Sequence, residues 1–133
     1  MYITLSPNQS LADTNAKFQN LFGLLKLNFF MNQHNAGQGS SDGSLIPTDT
    51  LWSELNLKIE MKIEFSKETK VSEFEAYFND LAIGVQVLRN SKGTWLQTSA
   101  TDSWTLAEQQ VRAQELNEST NDIPEMGDYH EQE

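Results

Sequence analysis

Leu57-Lys58-Ile59-Glu60-Met61-Lys62-Ile63-Glu64-Phe65 alternates apolar and charged side chains without a break. That period puts the apolar set on one face of a strand and the charged set on the other. After Phe65 the period changes: Val71, Phe74, Phe78, Leu81 and Ala82 fall on one stripe of a helix, with Ser72 and Glu75 at the spacing of a capping box. Gly84 ends that helix, and Val85-Gln86-Val87 begins a strand that turns through Asn90-Ser91-Lys92-Gly93 into Thr94-Trp95-Leu96-Gln97-Thr98. Thr105 and Glu108, again at capping-box spacing, open a last helix. The run reads strand, helix, hairpin, helix: a βαββα unit.

The same switches of period occur earlier in the chain. When the sequence is slid along itself until Ile3 lies on Ile63, 3–28 falls on 63–88 without a gap. Leu5 then meets Phe65, Leu11, Phe18 and Leu21 meet Val71, Phe78 and Leu81, and Leu25 and Leu27 meet Val85 and Val87. Only five of these 26 pairs are identical, so the matched changes of period carry the argument. A longer connection, 34–44, then leads to a short Leu45-Ile46 strand ended by Pro47 and a helix start at 48–54 that matches 101–108 after a slightly shorter shift. The sequence therefore predicts an α+β fold made by tandem duplication of a βαββα unit, with repeats 1–56 and 57–116 sharing one core as a single domain. A right-handed crossover would make the first two strands of each unit parallel and the hairpin would add an antiparallel third, giving a mixed sheet of roughly six strands with helices on one face. Residues 117–133, polar, acidic and without a period, are expected to form a disordered tail. Asp49 and Asp102, in matching Thr-Asp contexts, are expected to cap helices, and Trp52 and Trp104 to plug the two ends of the core.

Nine Lys and Arg stand against nineteen Asp and Glu, a formal charge of −10, and seven of the acids lie after Arg112, where no base follows. Such a balance repels nucleic-acid phosphates and anionic membranes and favours basic partners, so neither nucleic acid nor membrane is expected to bind. The absence of cysteine removes disulfides, thiolate metal sites and thiol nucleophiles, and suits a reducing compartment. No apolar run of membrane-spanning length and no secretory pattern is present, so the expected location is cytoplasmic.

Leu25-Lys26-Leu27-Asn28-Phe29-Phe30, the following His34 with Gly37 and Gly39, the run 85–91, and Trp95-Leu96-Gln97-Thr98 with 101–106 together resemble a family of small uncharacterised proteins from Bacteroidetes bacteria, of the kind taken up by structural genomics. The resemblance covers roughly residues 1–112. It implies a bacterial cytoplasmic protein, and it implies no activity, catalytic residue or cofactor.

The most unusual segment is 31–44, rich in glycine and small polar residues. Amides freed by Gly37, Gly39 and Gly43 would form an anion-binding nest, with His34 at its rim as acid, base or ligand. Against this, no Lys-Ser/Thr follows the glycines as a P-loop requires, and a flexible hairpin insertion is the plainer reading. A triad drawn from His34, Ser40 or Ser41 and Asp42 would lack a rigid scaffold, and the two histidines His34 and His130 do not make a metal site. No catalytic residue, metal or cofactor is assigned.

On the outer sheet face, Trp95 with Leu88 and Phe30 would form a small apolar patch suited to a protein partner. The remaining outward residues, Lys26, Asn28, Lys58, Glu60, Lys62, Glu64 and Gln86, are mixed in sign and poor in aromatics, unlike an RNA-binding sheet. The leading expectation is a non-enzymatic protein-interaction module with an unidentified protein partner. Two alternatives stand beside it: a small-ligand or enzymatic site at His34 and the glycine loop, and an acidic inhibitor or nucleic-acid mimic acting through the C-terminal tail. A sheet with free edges leaves both monomer and homodimer open.

Overall fold

The computed structural model describes residues 1–31, 45–81 and 83–118. Strands β1 (Tyr2–Leu5), β2 (Leu25–Phe30), β3 (Met61–Glu64), β4 (Gly84–Ser91) and β5 (Thr94–Gln97) are interleaved with helices α1 (Leu11–Leu21), α2 (Val71–Ala76) and α3 (Leu106–Glu118). The fold is α+β, with β1 and β3 in one antiparallel sheet and β2, β4 and β5, in that order, in another.

A mixed sheet of six strands does not form among the described residues. β1 and β2 belong to different sheets, and each pairs antiparallel with a strand of the other half. Ile3 faces Ile63 and Leu27 faces Val87, in both cases the equivalent position of the other half. This pairing needs no crossover within a half, and it brings apolar faces of like pattern together over one core. The expected Leu45-Ile46 strand reduces to a single bridge, Phe30 to Leu45, with Ile46 N–H donating to Phe29 O at 2.8 Å. Pro47 follows directly and has no N–H with which to extend it. The long alternating strand is also shorter than its pattern: Asn56 takes a left-handed conformation (φ 70°), the chain joins β3 only at Met61, and Ile59 is left 76% exposed.

Backbone bonds between helix starts repeat across the two halves. Leu11 N–H donates to Thr50 O and Val71 N–H to Trp104 O; Trp52 N–H donates to Gln9 O and Leu106 N–H to Thr69 O. By these bonds the counterpart of Trp52 is Leu106 rather than Trp104. Trp52 is fully buried, its Nε1–H donating to Thr14 Oγ1 at 2.7 Å, whereas Trp104 is half-buried. Capping also differs in place from expectation. Glu73, not Glu75, accepts at the start of α2, from Lys70 N–H, because the helix begins one residue before Ser72. Of the other starts, α1 begins at Ser10, which exchanges bonds with Asp13, and the 3₁₀ turn follows Leu51, whose N–H donates to Glu54; neither begins at Asp49. α3 begins at Thr105, which exchanges bonds with Glu108 as its spacing predicts, and not at Asp102.

The core gathers the inward faces of both sheets around a chain of aromatic rings. Phe18 meets Phe74 at 5.1 Å, Phe74 meets Phe65 edge-on at 5.0 Å, and Phe29 meets Trp52 edge-on at 5.7 Å. Such tilted and edge-on contacts add to what burial of the rings contributes. At the far end, the β4–β5 turn uses two left-handed residues, Lys92 (φ 52°) and Gly93 (φ 88°), as a two-residue hairpin requires. Asn117 ties α3 to this turn: its Nδ2–H donates to Asn90 O and its Oδ1 accepts from Lys92 N–H. Asn117 and Glu118 are thus helical rather than part of a tail, and 119–133 lie outside the described residues.

Candidate functional site

Three of the residues singled out in the sequence, His34, Gly37 and Gly39, lie outside the described residues. The other three share one face of the β2–β4–β5 sheet, since Leu88 is opposite both Lys26 and Gln97, and Trp95 is opposite Asn90. They do not form an open patch together. Phe30 is 2% and Leu88 5% exposed, and half-buried Trp95 lies under the Lys26 ammonium, 4.7 Å from its ring centre. Gln86, expected to face solvent, is fully buried.

A different concentration of chemistry stands out, in the second half. Of the buried polar residues described, only Thr14 comes from the first half; Glu75, Gln86, Arg89, Thr98, Ser99 and Gln109 all come from the second. Five of these six, all but Ser99, form two groups, one at the outer edge of β4 and one between β4 and α3.

The first group closes the edge of β4 where β5 has ended. Val87 N–H donates to Glu75 Oε2 at 2.8 Å, and Val87 O accepts from Thr98 Oγ1–H at 2.8 Å and from Gln86 Nε2–H at 3.2 Å. Glu75 comes from the buried side of α2, and burial pushes its carboxyl up to about 8, with the Val87 N–H opposing the rise and Asp102 adding to it. The residue missed as functional was visible in the sequence as Glu75, where its spacing from Ser72 gave it a capping role.

The second group holds a fully buried arginine against α3. Arg89 Nη1–H donates to Gln109 Oε1 at 2.7 Å, and the guanidinium lies 5.8 Å from the Trp104 ring centre. Gln109 is oriented in turn by donating to Thr101 O and Oγ1 at 3.0 and 2.9 Å. The bond to Gln109 and the face of the Trp104 ring offset part of the cost of burying this charge. In the alignment that lays Ile3 on Ile63, Arg89 takes the position of Phe29.

Trp104 has a second role. With Ala107 and Val111 it floors an open groove of about 360 Å³ on the outer side of α3, rimmed by Glu108, Arg112 and Glu115. Ala107 and Val111, one turn apart on α3, face away from the inward stripe Leu106, Gln109 and Ala113, and Trp104, just before the helix, joins them. Val111 is 52% exposed. Chemically, the groove offers apolar surface to an incoming side chain, while Arg89 is buried on the other side of Trp104 and Glu75 is buried at the β4 edge.

Among the described residues, no group of three or more His, Cys, Asp or Glu is arranged to hold a metal ion, and no helix is long and apolar enough to cross a membrane. Comparison with known proteins gave no match: no family model fits the sequence, and no curated protein or solved structure is significantly similar to it.

Proposed function

We propose that this protein is a non-enzymatic interaction module, built by tandem duplication, that captures a short basic segment carrying an apolar anchor in the α3 groove. The duplication is supported by the pairing of equivalent residues in both sheets and by the repeated bonds at the helix starts. In a duplicated scaffold, function belongs where the copies differ. A clear difference among the described residues is α3: where the second half continues into a helix of 13 residues, the first makes a single 3₁₀ turn, Trp52–Leu55.

The observation that carries the docking reading is exposed Val111 beside half-buried Trp104, an apolar floor between Glu108 and Glu115. An apolar or aromatic anchor seated there would supply affinity, and charge would set orientation and encounter rate. The charge asks for a basic partner: although Arg112 is on the rim, the chain after it has seven acids and no base. The interior placement of Glu75 and Arg89, each committed to backbone or side-chain bonds, fits a structural rather than a catalytic use of the strongest polar groups.

A fluorescence-anisotropy titration of the full chain with a labelled amphipathic Leu/Lys peptide, and with its Leu/Glu counterpart, tests this. The basic peptide should bind and should weaken as salt is raised. Val111→Asp should cut its affinity by about tenfold or more, while an exposed site keeps the change in stability within about 0.5 kcal/mol. Equal binding of the basic and acidic peptides would remove the charge argument, and binding indifferent to Val111→Asp would remove the groove.

A further inference from the structure

β5 pairs with β4 from Ser91 back to Leu88 and no further, so the outer edge of β4 at Val87 must find hydrogen bonds elsewhere. Glu75 supplies the acceptor for Val87 N–H. Across the molecule the outer edge of β2 is closed in the same manner: Leu27 N–H donates to Asn15 Oδ1 at 2.7 Å. Asn15 and Glu75 occupy equivalent positions of the two halves, and each reaches from its helix to the strand residue 12 positions on. Asn15 performs with a neutral amide what Glu75 performs with an acid.

Their surroundings differ. Asn15 is half-buried and Glu75 only 7% exposed. No cation lies at ion-pair distance from Glu75 among the described residues. Asp102, from the segment between β5 and α3, is a like charge beside it. The charged residue of β4, Arg89, is turned to Gln109 and Trp104. On α2 itself, Glu73 is exposed and occupied at the helix start. Gln86, which donates to Glu75 Oε2 at 3.3 Å, leaves its own Oε1 buried without a hydrogen-bond partner among the described residues. A second acceptor in want of a donor, a like charge and no cation make a site for a carboxylic acid rather than a carboxylate.

We propose that Glu75 is a proton-dependent clamp: as the neutral acid it holds α2 on the edge of β4, and loss of its proton loosens that edge. The folded state binds this proton more tightly than the unfolded state. Its contribution is therefore complete below the ordinary value of 4.5, declines as pH rises, and is lost above about 8. The clamp also reaches the groove. Val71 N–H and Ser72 N–H donate to Trp104 O and Asp102 O, which stitches the start of α2 to the segment that places Trp104. Weaker docking at high pH is the consequence, and that consequence alone rests on the docking reading.

The test uses the full chain: a carbon-13 NMR titration of the Glu75 carboxyl, and urea unfolding of wild type and Glu75→Gln from pH 5 to 9. The carboxyl should titrate near pH 8. The unfolding constant of wild type should rise about tenfold or more relative to Glu75→Gln over that range. A carboxyl that titrates near 4.5, or two stability profiles that run parallel, would overturn the clamp. The NMR titration is made on the unsubstituted chain, so poor folding of the variant would leave the proposal testable. Neither readout involves the peptide, so a failure of docking and a failure of the clamp are told apart.

Discussion

The outer edges of β2 and β4 carry the same unmet demand, one backbone N–H without a neighbouring strand, and meet it from the same helical position with different chemistry. What is common to the two halves is therefore a backbone requirement, which any well-placed acceptor satisfies. What differs is the environment of that acceptor: half-buried on the Asn15 side, sealed on the Glu75 side. The contrast extends to whole halves. The first builds its interior almost wholly from apolar side chains and the second places one polar group at the outer edge of β4 and one between β4 and α3.

The largest effect that should separate the halves is at their tryptophans. Trp52 is fully enclosed, in edge-on contact with Phe29 and bonded through Nε1–H to Thr14. Trp52→Ala should cost about 4 kcal/mol of stability, because it opens a cavity and strands the Thr14 hydroxyl. Trp104→Ala should cost about 1 kcal/mol, mostly the contact with the Arg89 guanidinium. Urea unfolding of the two variants would show the difference, and equal losses would mean that Trp104 is as much a core residue as Trp52.

An intermediate effect is expected in the polar group. Gln109→Ala takes away the acceptor of Arg89 Nη1 and the donor to Thr101 while leaving the guanidinium inside. A bond to a buried charge supports a loss of about 2 kcal/mol. Gln109→Leu would lose as much despite restored volume if the bond, rather than packing, is the cause. Full recovery by leucine would assign the role of Gln109 to packing.

Much of this layout could be read from periodicity, and the limits of that reading have physical causes. The alternation around Ile63 and the helical stripe Val71, Phe74 and Phe78 are local, and the structure places a strand and a helix there. Partner choice between strands is not local: nothing in Tyr2–Leu5 itself says that it pairs with Met61–Glu64 in place of a strand from its own half. Gln86 looked outward because it alternates with Val85 and Val87, but β4 is covered on both faces, where alternation stops marking solvent. Glu75 matched the spacing of a cap, and a spacing match cannot show which turn begins the helix. The groove was within reach: Ala107 and Val111 are apolar positions of α3 additional to the stripe it buries, with Trp104 just ahead of the helix.

The smallest effect returns to the two edges and isolates burial as the cause of the contrast. Asn15→Asp puts a carboxylate where Leu27 N–H already donates, so the edge bond survives. What is lost is the donor to Gln19 Oε1, now 3.1 Å from Nδ2 and part-buried, a loss of about 1 kcal/mol. Because position 15 is half-buried, water shares in solvating the new charge, and two N–H donors are not needed to keep it ionised. The stability of Asn15→Asp should therefore sit below that of wild type by a nearly constant amount from pH 6 to 9, while Glu75→Gln flattens the fall across the same range. A steep additional fall in Asn15→Asp would show that a carboxyl at either edge is enough to make the fold sensitive to protons, and that the depth of Glu75 is incidental.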